Sequence, residues 1–152
     1  MRQIEWFHAQ AQLAQKHNLP VVIHTRNCSS TTLKELMKSG LTKFVIHCFS
    51  EDWEFAEKIF ALSPDSKISF TGILTYPRST IIQEVAKKSP LNRLMIETDA
   101  PFLIPERMKG KIDYCEPVFT RYVFDALCIL RDESPEIIEK ELWENSIQFF
   151  II

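Results

Sequence analysis

Metal-capable side chains lie at the ends of three short apolar segments. Glu97 and Asp99 stand at the end of a predicted buried strand over residues 94–98, and alternation along a strand points both carboxylates to the same side. His24 and His47 each end another apolar segment. Imidazole and carboxylate groups are ligands of zinc, manganese and related ions. The pattern predicts a divalent-metal site built from His24, His47 and Asp99.

Metal-assisted hydrolysis is the chemistry that such a site would perform. A divalent ion lowers the pKa of bound water from 15.7 toward about 7, and it neutralises charge on the group under attack. An acidic residue after the last strand can bind the ion and also accept the proton of that water. This role suits Asp99, with Glu97 as an auxiliary residue.

Each of these residues also has a structural interpretation. A single histidine at a strand end commonly makes an ordinary hydrogen bond, and an aspartate before Ala-Pro commonly forms a turn. The metal interpretation is favoured because the three predicted ligands share one rim of the sheet. Arg26 can meet an anionic substrate or form a surface ion pair. Cys48 is expected in the core, whereas His8 and His17 are expected on the surface of the first helix.

An even succession of strands and helices must position this site. The predicted strands begin near residues 21, 44, 68 and 94, a spacing of about 25 residues that suggests successive right-handed βαβ units. Four such units form half of an eight-stranded barrel or a small open sheet. The spacing does not distinguish these two arrangements.

Capping residues delimit the predicted helices. Helix starts are expected at residue 3, at the caps Ser29–Thr31, at Ser50 or Asp52, at a Thr80–Gln83 capping box, at Pro117 and at Ser134. Asn18 and Gly40 are expected to end the first two helices.

Residues 102–116 form an unusually long polar loop, whose cations Arg107, Lys109 and Lys111 either touch phosphate or remain solvated.

The overall composition indicates one soluble domain over residues 1–152. The chain is 45% hydrophobic with a net charge of −2, so it has no general attraction to polyanions or anionic membranes. No apolar segment approaches the roughly 20 residues of a membrane span. Its four cysteines are far apart and include no Cys-x-x-Cys pair, which favours free thiols and a cytoplasmic location, or a nuclear one in a eukaryote.

Several segments together resemble a known family, the TatD-related metal-dependent deoxyribonucleases. The matching segments, in chain order, are LPVVIHTR at 19–26, HCFS at 47–50, MIETDAPFL at 95–103, Glu116-Pro117, and RDESP at 131–135 with Asn145. The resemblance covers essentially the whole chain. The Glu-Thr-Asp-x-Pro segment combined with two spaced histidines is its most specific part.

The resemblance implies a TIM-barrel hydrolase that cleaves DNA phosphodiesters, typically as a 3′–5′ exonuclease. Family members use divalent ions (Mg, Mn or Zn), two in a complete site. By the matching positions, His24, His47 and Asp99 would be metal ligands, and Asp99 would also activate the water. Arg26 is the candidate substrate-binding residue.

The chain departs from the family pattern in length and at single positions. Family chains are roughly 100 residues longer on the N-terminal side, in keeping with the ~250 residues of a whole barrel. That part supplies a bridging glutamate ligand. Cys115 and Glu51 stand where the family has asparagine and usually glycine. We therefore expect an α/β fold that is a partial TIM barrel, with about four βα units plus C-terminal helices and an exposed apolar face.

Three functions remain open on this basis. The first is a metal-dependent deoxyribonuclease, with DNA as its partner and an activity impaired by truncation. The second is a metal-dependent hydrolase of small amides or esters, because the barrel supports many chemistries. The third is a non-catalytic short form that acts through partner binding or self-association at an open barrel edge.

Overall fold

Four parallel strands form a single sheet in chain order. The structure, a computed structural model, describes residues 2–150. Its strands are β1 (Val21–His24), β2 (Phe44–His47), β3 (Lys67–Phe70) and β4 (Leu94–Ile96). Each strand pairs with the next one along the chain, as expected of successive βαβ units and unlike a doubly wound sheet, in which the strand order reverses.

Within residues 2–150, six α-helices accompany the sheet. They are α1 (Arg2–Lys16), α2 (Ser29–Ser39), α3 (Trp53–Leu62), α4 (Thr80–Lys88), α5 (Thr120–Leu130) and α6 (Pro135–Phe150). The long loop between β4 and α5 contains two single 3-10 turns, Glu106–Met108 and Pro117–Phe119. None of the helices among residues 2–150 combines the length and apolarity needed to cross a membrane.

The structure confirms three of the predicted helix caps. Asn18 and Gly40 have positive φ angles of 52° and 67° after α1 and α2, as the stop signals predict. Asp52 caps α3 and accepts a hydrogen bond from the amide of Phe55 at 2.9 Å.

Two other capping predictions are wrong. The N-cap of α2 is Cys28, one residue before the predicted Ser29–Thr31. The N-cap of α4 is Ser79, and the Gln83 side chain donates to the carbonyls of Leu74 and Tyr76 instead of closing a capping box. Contacts to a preceding turn therefore override the local pattern at α4.

The two faces of the sheet differ in their covering. Phe44, Ile46, Ile68, Phe70 and Leu94 are buried in the main core, to which the helices contribute most of the remaining side chains. On the other face, Val45 and Met95 form a smaller cluster with Phe149 of α6, whereas Val22 remains 54% exposed. The predicted exposed apolar face is thus covered in part by the chain's own last helix.

A buried polar network attaches α6 to the sheet. The Asn145 side chain donates to the carbonyls of Leu91 and Leu94 at 3.0 and 2.9 Å. Its oxygen accepts from Lys67 Nζ at 3.1 Å, which also donates to the Asn92 carbonyl at 2.8 Å. Burial lowers the pKa of Lys67, and these oxygens compensate for its desolvation.

Candidate active site

The strand register brings the two predicted histidine ligands together. His24 and His47 are the last residues of β1 and β2 and are paired partners in the sheet. Their ring centroids lie 5.8 Å apart. Asp99 lies three residues beyond β4, and its Oδ1 is 3.4 Å from His47 Nε2. All three side chains occupy the carboxyl ends of the strands, the edge at which barrel enzymes place their active sites.

Glu97 fixes the orientation of His47. The first oxygen of its carboxylate accepts the backbone amide of Cys48 at 2.9 Å, and the second accepts His47 Nδ1 at 2.7 Å. A proton held on Nδ1 leaves the lone pair of Nε2 free, which is the form in which histidine binds metals. The backbone of Glu97 is itself held at the site. Its amide donates to the Phe70 carbonyl at 2.9 Å and so extends the hydrogen bonding between β3 and β4 by one residue.

These donors fit a divalent ion in type and spacing. Two ligands of a tetrahedral ion at about 2.1 Å are separated by about 3.4 Å, and His47 Nε2 and Asp99 Oδ1 are 3.4 Å apart. Across residues 2–150, however, no three or more His, Cys, Asp or Glu side chains are grouped so as to hold an ion. The described chain therefore offers two converging donors, with His24 beside them.

Cys48, which follows His47, is a buried residue. Its Sγ lies 3.4 Å from Thr71 Oγ1. Burial raises the pKa of the Cys48 thiol, which keeps it protonated and a poor metal ligand. This agrees with its predicted place in the core.

Arg26 is exposed beyond β1. Within residues 2–150 Arg26 makes no ion pair. The structure therefore does not contain the surface salt bridge that the sequence left open for this residue. Its guanidinium remains available to an anion.

The loop that carries Asp99 is held by a turn that the sequence interpretation missed. A Cβ added to Gly72 would overlap the Leu103 carbonyl oxygen, so only glycine permits this approach. The Tyr76 hydroxyl donates to the Ile104 carbonyl at 3.0 Å, and Thr75 Oγ1 accepts the Glu106 amide at 2.8 Å. A glycine two residues after a buried strand is the signal that could have indicated such a close approach.

The fold is a parallel α/β sheet with histidine and carboxylate donors at the carboxyl ends of its strands, and comparison with known proteins identifies the family. The family described as "TatD related DNase" matches residues 1–151, and the chain belongs to it. The sheet is accordingly part of a TIM barrel. Family membership confirms the resemblance noted in the sequence.

Individual relatives show how much of the family chain is represented. An uncharacterized metal-dependent hydrolase of Escherichia coli K12, YcfH, is 34% identical over 100% of this chain and 57% of its own length. The human 3′-5′ RNA nuclease TATDN2 is 28% identical over 95% of this chain and 19% of its own. The crystal structure of YjjV, a TatD homologue from E. coli, superposes with a TM-score of 0.87 at 33% identity, covering 94% of this chain and 54% of that one. The chain thus spans about half the length of these bacterial relatives.

Proposed function

We propose that this chain carries part of the active site of a divalent-metal-dependent deoxyribonuclease, acting as a 3′–5′ exonuclease on DNA phosphodiesters. The observation that carries the proposal is the convergence of His47 Nε2 and Asp99 Oδ1, with Glu97 fixing the histidine tautomer, in a chain of the TatD family.

The residues have distinct roles in this proposal. His24, His47 and Asp99 would hold the divalent metal, which supplies charge neutralisation at the phosphoryl oxygens and an acidified water. Asp99 accepts the proton of the attacking water, because its carboxylate is 37% exposed and reachable by solvent. Arg26 attracts a substrate phosphate through charge-assisted hydrogen bonds. With two converging donors, we expect the isolated chain to bind the metal weakly.

Degradation of a 3′-labelled DNA oligonucleotide with magnesium or manganese tests this function. We expect the unmodified chain to shorten the DNA and both Asp99→Asn and EDTA to abolish the activity, with the fold of the variant unchanged. Asp113→Asn is the matched control, because Asp113 is an exposed acid on the same loop. Activity retained by metal-loaded Asp99→Asn, or by the unmodified chain in EDTA, would contradict the proposal.

Metal content tests the histidines independently of turnover. We expect His24→Ala and His47→Ala to lower the bound metal measured by elemental analysis after equilibration with manganese. His17→Ala, at an exposed position after α1, should leave it unchanged. Equal metal content in all three variants would remove the histidines from the ligand set.

RNA is a second candidate substrate. It is favoured by the relative TATDN2, which is named a 3′-5′ RNA nuclease. An RNA oligonucleotide of the same sequence in the same assay decides between the two.

The four free cysteines support a further proposal, that the protein resides in the cytoplasm.

A further inference from the structure

His24 lies at the end of an edge strand. β1 has β2 as its neighbour in the described sheet, and its pairing with β2 ends at His24. Beyond β2 and β4 the backbone is held one step further, because the Phe49 and Glu97 amides donate to carbonyls of β3 at 2.8 and 2.9 Å. Within residues 2–150, no backbone hydrogen bond of this kind follows His24. The segment after His24 therefore needs another support.

A buried threonine supplies this support. Thr25 is 4% exposed, and its hydroxyl group is hydrogen-bonded to Thr32 Oγ1 of α2 at 2.8 Å and to Cys28 Sγ at 3.2 Å. These contacts, and a third between Cys28 and Thr32 at 3.5 Å, are the side-chain hydrogen bonds of segment 25–28 within the described chain. The end of β1 is thus attached to α2 through the Thr25 hydroxyl.

The alternation of side chains places Thr25 on the opposite side of the backbone from His24. Ile23 is buried in the core that the helices cover, whereas Val22 is exposed on the other face of the sheet. His24 lies on the side of Val22, and Thr25 lies on the side of Ile23. The contact of Thr25 with α2 therefore holds, from the helix side, the stretch of backbone that presents His24 to the site.

We propose that Thr25 is a positioning residue, whose hydrogen bond to Thr32 holds His24 in the orientation that metal binding requires. This inference rests on the proposed function, because it assigns no chemistry to Thr25 itself. It extends the site to α2, which contains Thr32 and none of the predicted ligands. A displacement of about 1 Å in an active site can lower a rate about 100-fold, so the loss of one supporting hydrogen bond should be measurable.

The manganese affinity of Thr25→Val tests the inference without turnover. Valine has nearly the shape of threonine but no hydroxyl group, so the contact with Thr32 is lost. We expect calorimetric titration to show binding at least about threefold weaker, the usual effect of losing one hydrogen bond. Thr32→Val removes the same contact from the helix side and should act similarly, even if Thr25→Val misfolds. Thr25→Ser keeps the hydroxyl group and should restore the affinity.

A double-mutant cycle separates positioning from a general loss of stability. Thr25→Val should weaken manganese binding in the unmodified chain and have no further effect in His24→Ala, where the side chain to be positioned is absent. A general loosening of the fold would instead lower the affinity in both backgrounds. Ser89→Ala is the control, because it removes a buried hydroxyl group that donates to the Val85 carbonyl at 2.7 Å, at the C-cap of α4. This variant should bind manganese like the unmodified chain.

The outcomes distinguish this inference from the proposed function. Unchanged manganese affinity in a folded Thr25→Val variant, or an equal loss in the His24→Ala background, would overturn the positioning role even if the chain cleaves DNA. A chain that cleaves nothing could still lose manganese affinity in Thr25→Val, regain it in Thr25→Ser and show no effect of Thr25→Val in His24→Ala. That result would support the positioning role and contradict only the proposed catalysis.

Discussion

At the scale of single residues, the site depends on a carboxylate that orients a histidine. Sequence patterns predicted the types and strand-end positions of His24, His47 and Asp99, because alternation and the parallel topology are encoded locally. The two hydrogen bonds of Glu97, to His47 Nδ1 and to the Cys48 amide, could not be predicted. They join residues about fifty positions apart and depend on the register of separate strands.

Glu97→Gln should therefore weaken both metal binding and hydrolysis. Glutamine replaces one of the two carboxylate oxygens by an NH2 donor, so it can keep only one of the two hydrogen bonds and holds His47 less firmly. We expect a 10- to 100-fold loss, the usual effect of removing the partner of a metal-binding histidine, measured by calorimetric manganese titration and by the DNA assay. Glu84→Gln, which breaks a surface pair with Lys88, serves as the control. An unaltered manganese affinity would show that Glu97 has no role in orientation.

At the scale of elements, contacts between distant parts of the chain determine the helix caps and side-chain partners that the local sequence does not specify. The caps at Asp52 and Gly40 were predictable because their partners are near in sequence. The capping box at Thr80 failed because Gln83 binds carbonyls at the turn after β3. His8, expected as an ordinary surface residue, instead joins α1 to α2 through Glu35 at 2.8 Å.

Gly72→Ala should displace the loop that carries Asp99. The added methyl would overlap the backbone of Leu103, and backbone can yield only by moving. We expect a loss of roughly 1–3 kcal/mol in the free energy of unfolding, measured by urea denaturation, together with a lower rate of DNA cleavage. Gly110→Ala is the control: Gly110 also has a positive φ, but the added methyl would contact nothing. It should cost only about 1 kcal/mol and spare activity. Equal effects of the two substitutions would argue against the loop contact.

The junction between α1 and α2 should depend on pH through Glu35. Hydrogen bonds from His8 and Lys38 lower the pKa of this carboxyl group. A lowered folded-state pKa gives stability that is complete above the unfolded value and is lost as the pH falls through the folded value.

We accordingly expect the difference in Tm between the unmodified chain and Glu35→Gln to be largest near neutral pH. It should shrink below about pH 4, where unfolded carboxylates protonate. Thermal melts across this range measure it, with Glu54→Gln, in an exposed pair with Lys58, as the reference. A difference independent of pH would mean that the ionised form of Glu35 contributes nothing.

At the scale of the whole molecule, the strand spacing predicted the number of βα units, and the observed order matches a barrel. Which face would be covered could not be predicted, because the packing of Phe149 against Val45 and Met95 joins distant parts of the chain. The edge at β1 carries exposed apolar residues, including Val22 at 54% and Trp6 at 66%.

We propose that the 152-residue chain, when isolated, associates with a second copy by pairing its β1 edge with the partner's β4 edge. Two four-stranded sheets supply the eight parallel strands of a closed barrel. Sedimentation velocity should show a dimer that Val22→Lys disrupts, because a lysine on an edge strand opposes pairing. Met37→Lys replaces a 65% exposed apolar residue on α2 and should leave the dimer intact. A chain that is monomeric at every concentration would exclude this association.

The attachment of α6 has a consequence for synthesis on the ribosome. Lys43, just before β2, donates to the carbonyl of Gln148 at 3.0 Å across 105 residues of sequence, and Lys67 relies on Asn145 as a partner. The first strands thus emerge long before the helix that covers them. During translation, Val45 and Met95 stay exposed until Phe149 has been synthesised and can pack against them. A nascent chain halted before α6 would therefore present these two apolar residues to chaperones.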